Sequence, residues 1–273
     1  MSTTRASLAL HLQQARQAQR WSQLALSLHL GVSQKHISFV ETGRARPSRP
    51  LLLRWLEALS LPMFTRNALL QLAGFAPMFS ASALHDPHLE QARTALSHLL
   101  QSHDPQPALV IGAHWDVLQI NRGAQWLAET LMPELLASPH AKPNLLDWML
   151  HPQGLMKNVI NKQEAVADFW AQLRRDQVDQ PQLAPQIDAF VQKFSPLLQD
   201  GAIAQAPSVL RPLLNLRFMT AYGELAFFRV FSTFGSPHDI TLASMRVEHM
   251  FPADPHTRAV MEKNVARTAS LVA

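Results

Sequence analysis

The sequence predicts two domains of different class: an all-α domain of five short helices over residues 1–80, and an α+β domain over residues 108–273 built on a five-stranded antiparallel sheet. Three observations carry this. Up to residue 74, leucine-rich runs at helical spacing alternate with serine starts and glycine or proline stops. Beyond residue 107, apolar and aromatic runs come in groups joined by turn residues, with helical stretches between the groups. Charge divides in the same way. Residues 1–80 hold nine Lys/Arg against Glu41 and Glu57, a balance of +7, whereas the other 193 residues hold 15 basic and 18 acidic side chains, or −3. Such a basic end suits a polyanionic partner.

Leu8, Leu12 and Ala15 mark an opening helix. Ser22 caps a second that runs to about Leu30 and stops at Gly31; Ser33 caps a third, with Ile37 and Val40 inward and Gly43 as its stop. A fourth begins near Ser48 with Pro50 in its first turn, and Leu61-Pro62 breaks it. Thr65 to Ala73 forms the fifth, closed by Gly74. Residues 81–107 read as a linker with one helix (Leu89, Ala92, Leu96, Leu99, Leu100) between two proline-containing turns.

In the second domain, Ala108–Ile111 and Trp115–Asn121 read as a hairpin. Helices follow at Ala124–Met132, Leu145–Leu150, Gln163–Arg175 and Gln186–Leu198. The closing region reads as three strands, Leu213–Tyr222, Leu225–Phe234 and Ile240–Phe251, with Gly235-Ser236-Pro237 as a turn. Leu225, Phe227, Arg229 and Phe231 share one face of their strand. Both faces are mainly apolar, which predicts cover on both sides.

Composition excludes several chemistries. The chain has 273 residues and no cysteine, so disulfides, thiolate zinc sites, iron–sulfur clusters and cysteine nucleophiles are ruled out. The thirteen histidines are scattered without a three-ligand spacing. Phosphate-loop, dinucleotide-binding and nucleophile-elbow patterns are absent, and nothing fixes Asp147, His151 and Ser195 as a triad. The expectation is a protein that is not an enzyme and needs no metal or cofactor. No apolar run reaches the ~18 residues of a membrane span, and the opening residues lack a secretory core. A cytoplasmic protein without membrane partners is expected.

The stretch Ser22-Gln23, then Leu30-Gly31-Val32-Ser33, Ile37-Ser38 and Glu41-Thr42-Gly43 places two short helices around a tight turn. Gly31 supplies the left-handed backbone that this turn needs. Over residues 8–74 it resembles the XRE family of lambda repressor and Cro type, a helix-turn-helix fold that reads double-stranded DNA. The resemblance implies a phosphate contact for Gln23, and base or phosphate contacts for Ser33, Gln34, Lys35, His36 and Ser38. An adenine edge suits Gln34, and phosphate contacts suit Arg44 and Arg46. Glu41 reads as a structural ion pair or cap. Leu24 and Leu28 stand where this fold is usually polar, as extra core or as a docking face.

A fuller resemblance rests on Gly43-Arg44-Ala45-Arg46-Pro47-Ser48, Ala73-Gly74-Phe75-Ala76-Pro77, His114-Trp115-Asp116-Val117, Asn121-Arg122, Asn144-Leu145-Leu146, His151-Pro152, Gly223–Phe228, Thr233–Pro237 and Phe251-Pro252-Ala253-Asp254. With these the chain is similar to the MmyB-like transcriptional regulators. That resemblance implies a PAS-like ligand-binding domain, for which a fatty-acid-like ligand has been proposed. Trp148, Met149, Met156, Phe169 and Trp170 from the inserted helices, with Phe227 on its strand, suit an apolar pocket; Arg122, His151 and Arg246 suit an anionic head. The expected protein is a DNA-binding regulator, homodimeric, whose second domain binds an apolar small molecule. The alternative is a constitutive DNA-binding or partner-recruiting protein whose second domain is only an interaction and dimerisation module.

Overall fold

The computed structural model describes residues 3–80, 82, 85–137, 143–199, 215–235, 237 and 239–269. Among these, residues up to Ser80 together with Asp239 and Ile240 form one compact unit, and the remainder from Ser82 form a second.

The first unit is five helices: α1 (Thr3–Ala18), α2 (Gln23–Leu30), α3 (Gln34–Glu41), α4 (Arg49–Ala58) and α5 (Met63–Leu72). Ser22, Ser33 and Ser48 are their N-caps, each hydroxyl accepting from a backbone N–H three residues on. Gly31 ends α2 at φ +67°, and its N–H reaches back to Leu28 O and Ser27 O. α5 starts two residues before the expected Thr65, directly after Pro62. The core is leucine-rich, with Leu12, Leu26, Ile37, Leu52, Trp55 and Leu56 fully buried. The helix-turn-helix fold stands as the sequence predicts.

The second unit opens with α6 (Glu90–His103). Its sheet comprises β1 (Ala108–Ile111), β2 (Val117–Ile120), β3 (Asn215–Thr220), β4 (Gly223–Ser232) and β5 (Arg246–Pro252), in the order β2-β1-β5-β4-β3, every pair antiparallel. One face is covered by α7 (Arg122–Leu131), α8 (Pro133–Leu136), α9 (Leu145–Leu150), α10 (Lys162–Asp179) and α11 (Ala184–Gln199). Leu109, Ile111, Leu216, Phe218, Leu225 and Phe227 point into that core. On the opposite face, Leu96 and Leu100 of α6 pack with Ala108, Val110, Met245 and Val247.

Three expectations need correction. Residues 240–251 are not one strand: α12 (Ile240–Ser244) precedes β5. The cause is long-range tethering, since Ile240 N–H donates to Ser80 O and Ser80 Oγ donates to Asp239. Strand β2 starts at Val117 rather than at Trp115, because Trp115 sits at φ +65°, held by its buried ring and its Nε1–H bond to Asp176. A last helix, α13 (Pro255–Ala269), was not anticipated; Met261 and Val265 close the main core, and Thr257 Oγ1 accepts from Ala226 N–H. Leu213, Leu214 and Ser236 lie outside the described residues.

α6 meets the sheet through an aromatic stack. The His103 ring lies 4.9 Å from His249 and 4.8 Å from Phe251, both edge-on. His103 Nε2 donates to Met250 O at 3.3 Å, and His249 Nε2 pairs with Ser232 Oγ at 2.9 Å. Burial lowers the pKa of both imidazoles below 6.5; the Met250 bond and Asp104 oppose this at His103, and the neighbouring His103 adds to it at His249. The folded chain therefore holds fewer protons than the unfolded one just below pH 6.5. The contribution of this stack is complete above 6.5 and is lost as pH falls from there through the lowered values of the folded chain. Thermal unfolding between pH 7.5 and 5 should show the Tm falling, by about 2–4 °C per kcal/mol lost, and His249→Phe should flatten the profile. An unchanged wild-type Tm across this range would refute the assignment.

Candidate nucleic-acid interface and ligand cavity

The turn between α2 and α3 is locked at both ends. Val32 N–H donates to Ser27 O at 3.0 Å, and Ser33 Oγ accepts from His36 N–H at 3.2 Å. Ser33, Gln34 and Lys35 are exposed at the start of α3, while His36 and Ser38 are half-buried. Phe39 lies between two cations, with Lys35 Nζ 5.5 Å and the Arg44 guanidinium 5.9 Å from its ring centroid. This pins two positive charges beside the exposed opening of α3.

Two of the expected contact residues also serve the fold. Gln23 donates its amide to Glu41 Oε2 at 2.8 Å. Arg46 donates to Ala73 O, and its guanidinium lies 5.7 Å from the Phe75 ring. Glu41 is a structural ion pair: Arg16 Nε and Nη2 donate to its two oxygens at 2.6 and 2.8 Å, and both side chains are buried. Hydrogen bonding to Glu41 raises the Arg16 pKa further. Sequence reading found the acid but not its partner, which lies 25 residues away. Leu24 is 53% and Leu28 75% exposed, so they are not extra core.

In the second unit an apolar cavity of about 70 Å³ lies between the sheet and the covering helices. Leu109, Ile120, Leu127, Leu131, Met132, Leu145, Trp148, Phe169, Phe218 and Met250 contribute to its wall. Of the six residues expected at a ligand, Trp148 lines it. Phe227 is fully buried in the surrounding core. Arg122 is exposed and pairs with Asp104 at 2.9 Å. His151 is exposed and accepts from Gln153 N–H. Trp170 stacks on Phe190, and Arg246 donates to Asp176 at 2.8 Å with its guanidinium over Trp115. Arg122, His151, Trp170, Phe227 and Arg246 are therefore not brought together around the cavity. Sequence reading missed Glu248, a buried acid in the wall; the available signal was an acid beside His249 inside the largely apolar run Val247–Phe251.

A helix-turn-helix unit followed by a sheet domain with an apolar cavity under its covering helices is the build of a DNA-binding protein with a ligand-binding domain, and the family models agree. A helix-turn-helix family model matches residues 12–64, and the model of the MmyB-like transcription regulator ligand binding domain matches residues 92–263. The chain belongs to the MmyB-like transcription regulators. Its domains are those of a transcription regulator rather than of an enzyme family. No curated protein matches the chain. Among the described residues, no helix is long and apolar enough to cross a membrane, and no three His, Asp or Glu side chains cluster as metal ligands.

Proposed function

We propose that this regulator binds a two-fold-related operator as a cytoplasmic homodimer joined through its second domain, and that an apolar small molecule in the cavity biases DNA binding. The observation that carries the DNA half is the capped α3, whose exposed Ser33, Gln34 and Lys35 open the helix beside Arg44. Recognition helices of this fold read base edges with their N-terminal residues. Gln34, His36 and Ser38 face bases in this reading, and Gln23, Lys35, Arg44 and Arg46 face phosphates. A ligand preferring one arrangement of the dimer shifts the population toward or away from a half-site spacing of about 34 Å.

The test is binding to a randomised duplex library, followed by salt titration on the selected site. Gln34→Ala should relax preference at particular bases by about 1–3 kcal/mol. Arg44→Ala should weaken binding to every sequence and lower the salt slope by about 1. An unchanged slope removes Arg44 from the interface, and no binding to any duplex at low salt overturns the whole reading.

The size of the cavity favours a second reading. At about 70 Å³ it is roughly half the ~150 Å³ void that admits benzene. A long fatty acid enters only if flexible side chains such as Met132 and Met250 give way. If native mass spectrometry of purified protein finds no co-purifying small molecule, the second domain is a filled interaction and dimerisation module.

A further inference from the structure

We propose that the cavity selects an apolar ligand whose head donates a hydrogen bond, a hydroxyl or an ammonium, and discriminates against a carboxylate. This rests on the ligand reading above and specifies the chemistry of that same site. Among the described residues, the wall is hydrocarbon and aromatic except at Glu248, its one charged side chain.

Glu248 is a buried acceptor, its side chain 5% exposed. One oxygen accepts from Arg229 Nη1 at 3.2 Å. That arginine is shared. Its Nη2 donates to Asp168, and its guanidinium lies 4.3 Å from the Phe169 ring centroid. The group thus holds two carboxylates around one guanidinium, so its sum is negative. Arg246, two residues along β5 on the same face, is committed to Asp176 and to the ring of Trp115. Among the described residues, the cavity wall therefore holds no cation to receive an acid.

The consequence follows from burial. A ligand carboxylate brought beside Glu248 meets a like charge where screening by water is weak. A hydroxyl or ammonium in the same place gains a charge-assisted hydrogen bond to the carboxylate. Its hydrocarbon part enters the space between Leu127, Leu131 and Trp148 as the flexible Met132 and Met250 give way, since about 70 Å³ is less than a six-carbon tail needs. An unbranched acid is the wrong electrostatic partner even though its tail matches the lining.

The experiment uses three probes with one tail, hexan-1-ol, hexylamine and hexanoate, titrated by calorimetry into the full chain at neutral pH. Hexylamine and hexan-1-ol are expected to bind at least ten-fold more tightly than hexanoate. Leu127→Trp, which fills the cavity, should abolish binding of all three and so separates cavity binding from surface attraction. Glu248→Gln, shown to be folded by thermal unfolding, should reduce the advantage of the amine over the acid at least ten-fold. The wild-type ranking needs no variant. Hexanoate binding as tightly as hexylamine, or a ranking unchanged in Glu248→Gln, overturns the head-group inference while leaving a ligand site in place. If none of the three binds, the ligand reading itself falls, and this inference with it.

Discussion

Replacing Glu41 by alanine is expected to destabilise the first unit by about 3–5 kcal/mol, although Glu41 faces no DNA in the proposed complex. The carboxylate lies between three helices: it accepts two bonds from Arg16 of α1 and one from Gln23 of α2 while standing at the end of α3. Removing it leaves the Arg16 guanidinium buried with one remaining acceptor among the described residues, Trp21 O at 2.6 Å. An unpaired buried charge costs far more than the pair contributes. With stabilities of about 5–15 kcal/mol typical of a domain, the loss would bring the helix-turn-helix near its unfolding midpoint at ordinary temperatures. Replacing Arg16 and Glu41 together by Met and Leu should recover most of it, because no charge is then stranded. Urea unfolding of the full chain, followed in parallel by loss of DNA binding, measures both variants. A single-variant cost under about 1 kcal/mol would mean that water reaches this pair as it does a surface ion pair.

Asn121→Ala should destabilise the second unit by about 4 kcal/mol, from the stranded Ala108 N–H, the lost cap on Ala124 N–H and two carbonyls left without their donor. The side chain is 5% exposed and makes four bonds. Its Oδ1 accepts from Ala108 N–H and Ala124 N–H, each at 2.9 Å, which starts β1 and caps α7. Its Nδ2 donates to Leu100 O and Gln106 O, fixing the end of α6. The neighbouring Gly123 has no room for a side chain, since a Cβ there would stand 2.3 Å from Pro105 O. Aspartate caps helices as well as asparagine does, yet Asn121→Asp should not rescue. It keeps the two acceptor roles but turns a carboxylate oxygen toward two carbonyls. If Asp restores stability in urea titrations, only the cap matters and the two donated bonds contribute little.

Local signals made much of the fold legible. Ser22, Ser33, Ser48 and Gly31 do their work within four residues of themselves, so their roles follow from spacing alone. The sheet was legible because β-type runs bracket the helices in two groups. Failures occurred where distant residues decide. Ile240 and Leu242 suit a strand, but Ser80, 160 positions earlier than Ile240, holds the start of α12. The DNA-facing candidates cluster at α3 because a helix-turn-helix puts neighbours in sequence side by side. The ligand candidates scattered because the cavity is bounded by eight separate stretches of the described chain, and residue type alone does not say which face of each turns inward. Glu248 was the exception that sequence reading missed: a charge in a core strand signals a partner, a ligand or both, and here Arg229 supplies the partner while the side chain stays in the cavity wall.

Strand β1 is only four residues long, yet it divides its loyalties at every peptide. Leu109 and Ile111 belong to the core around the cavity, while Ala108 and Val110 belong to the cluster that seats α6. Successive residues in a strand are about 3.3 Å apart, so the space beneath the covering helices and the underside of α6 are separated by a single backbone thickness. A molecule that displaces Leu109 moves the same peptide that carries Val110. The sheet is thus a diaphragm rather than a floor: what packs on its inner side and the helix resting on its outer side share one layer of backbone.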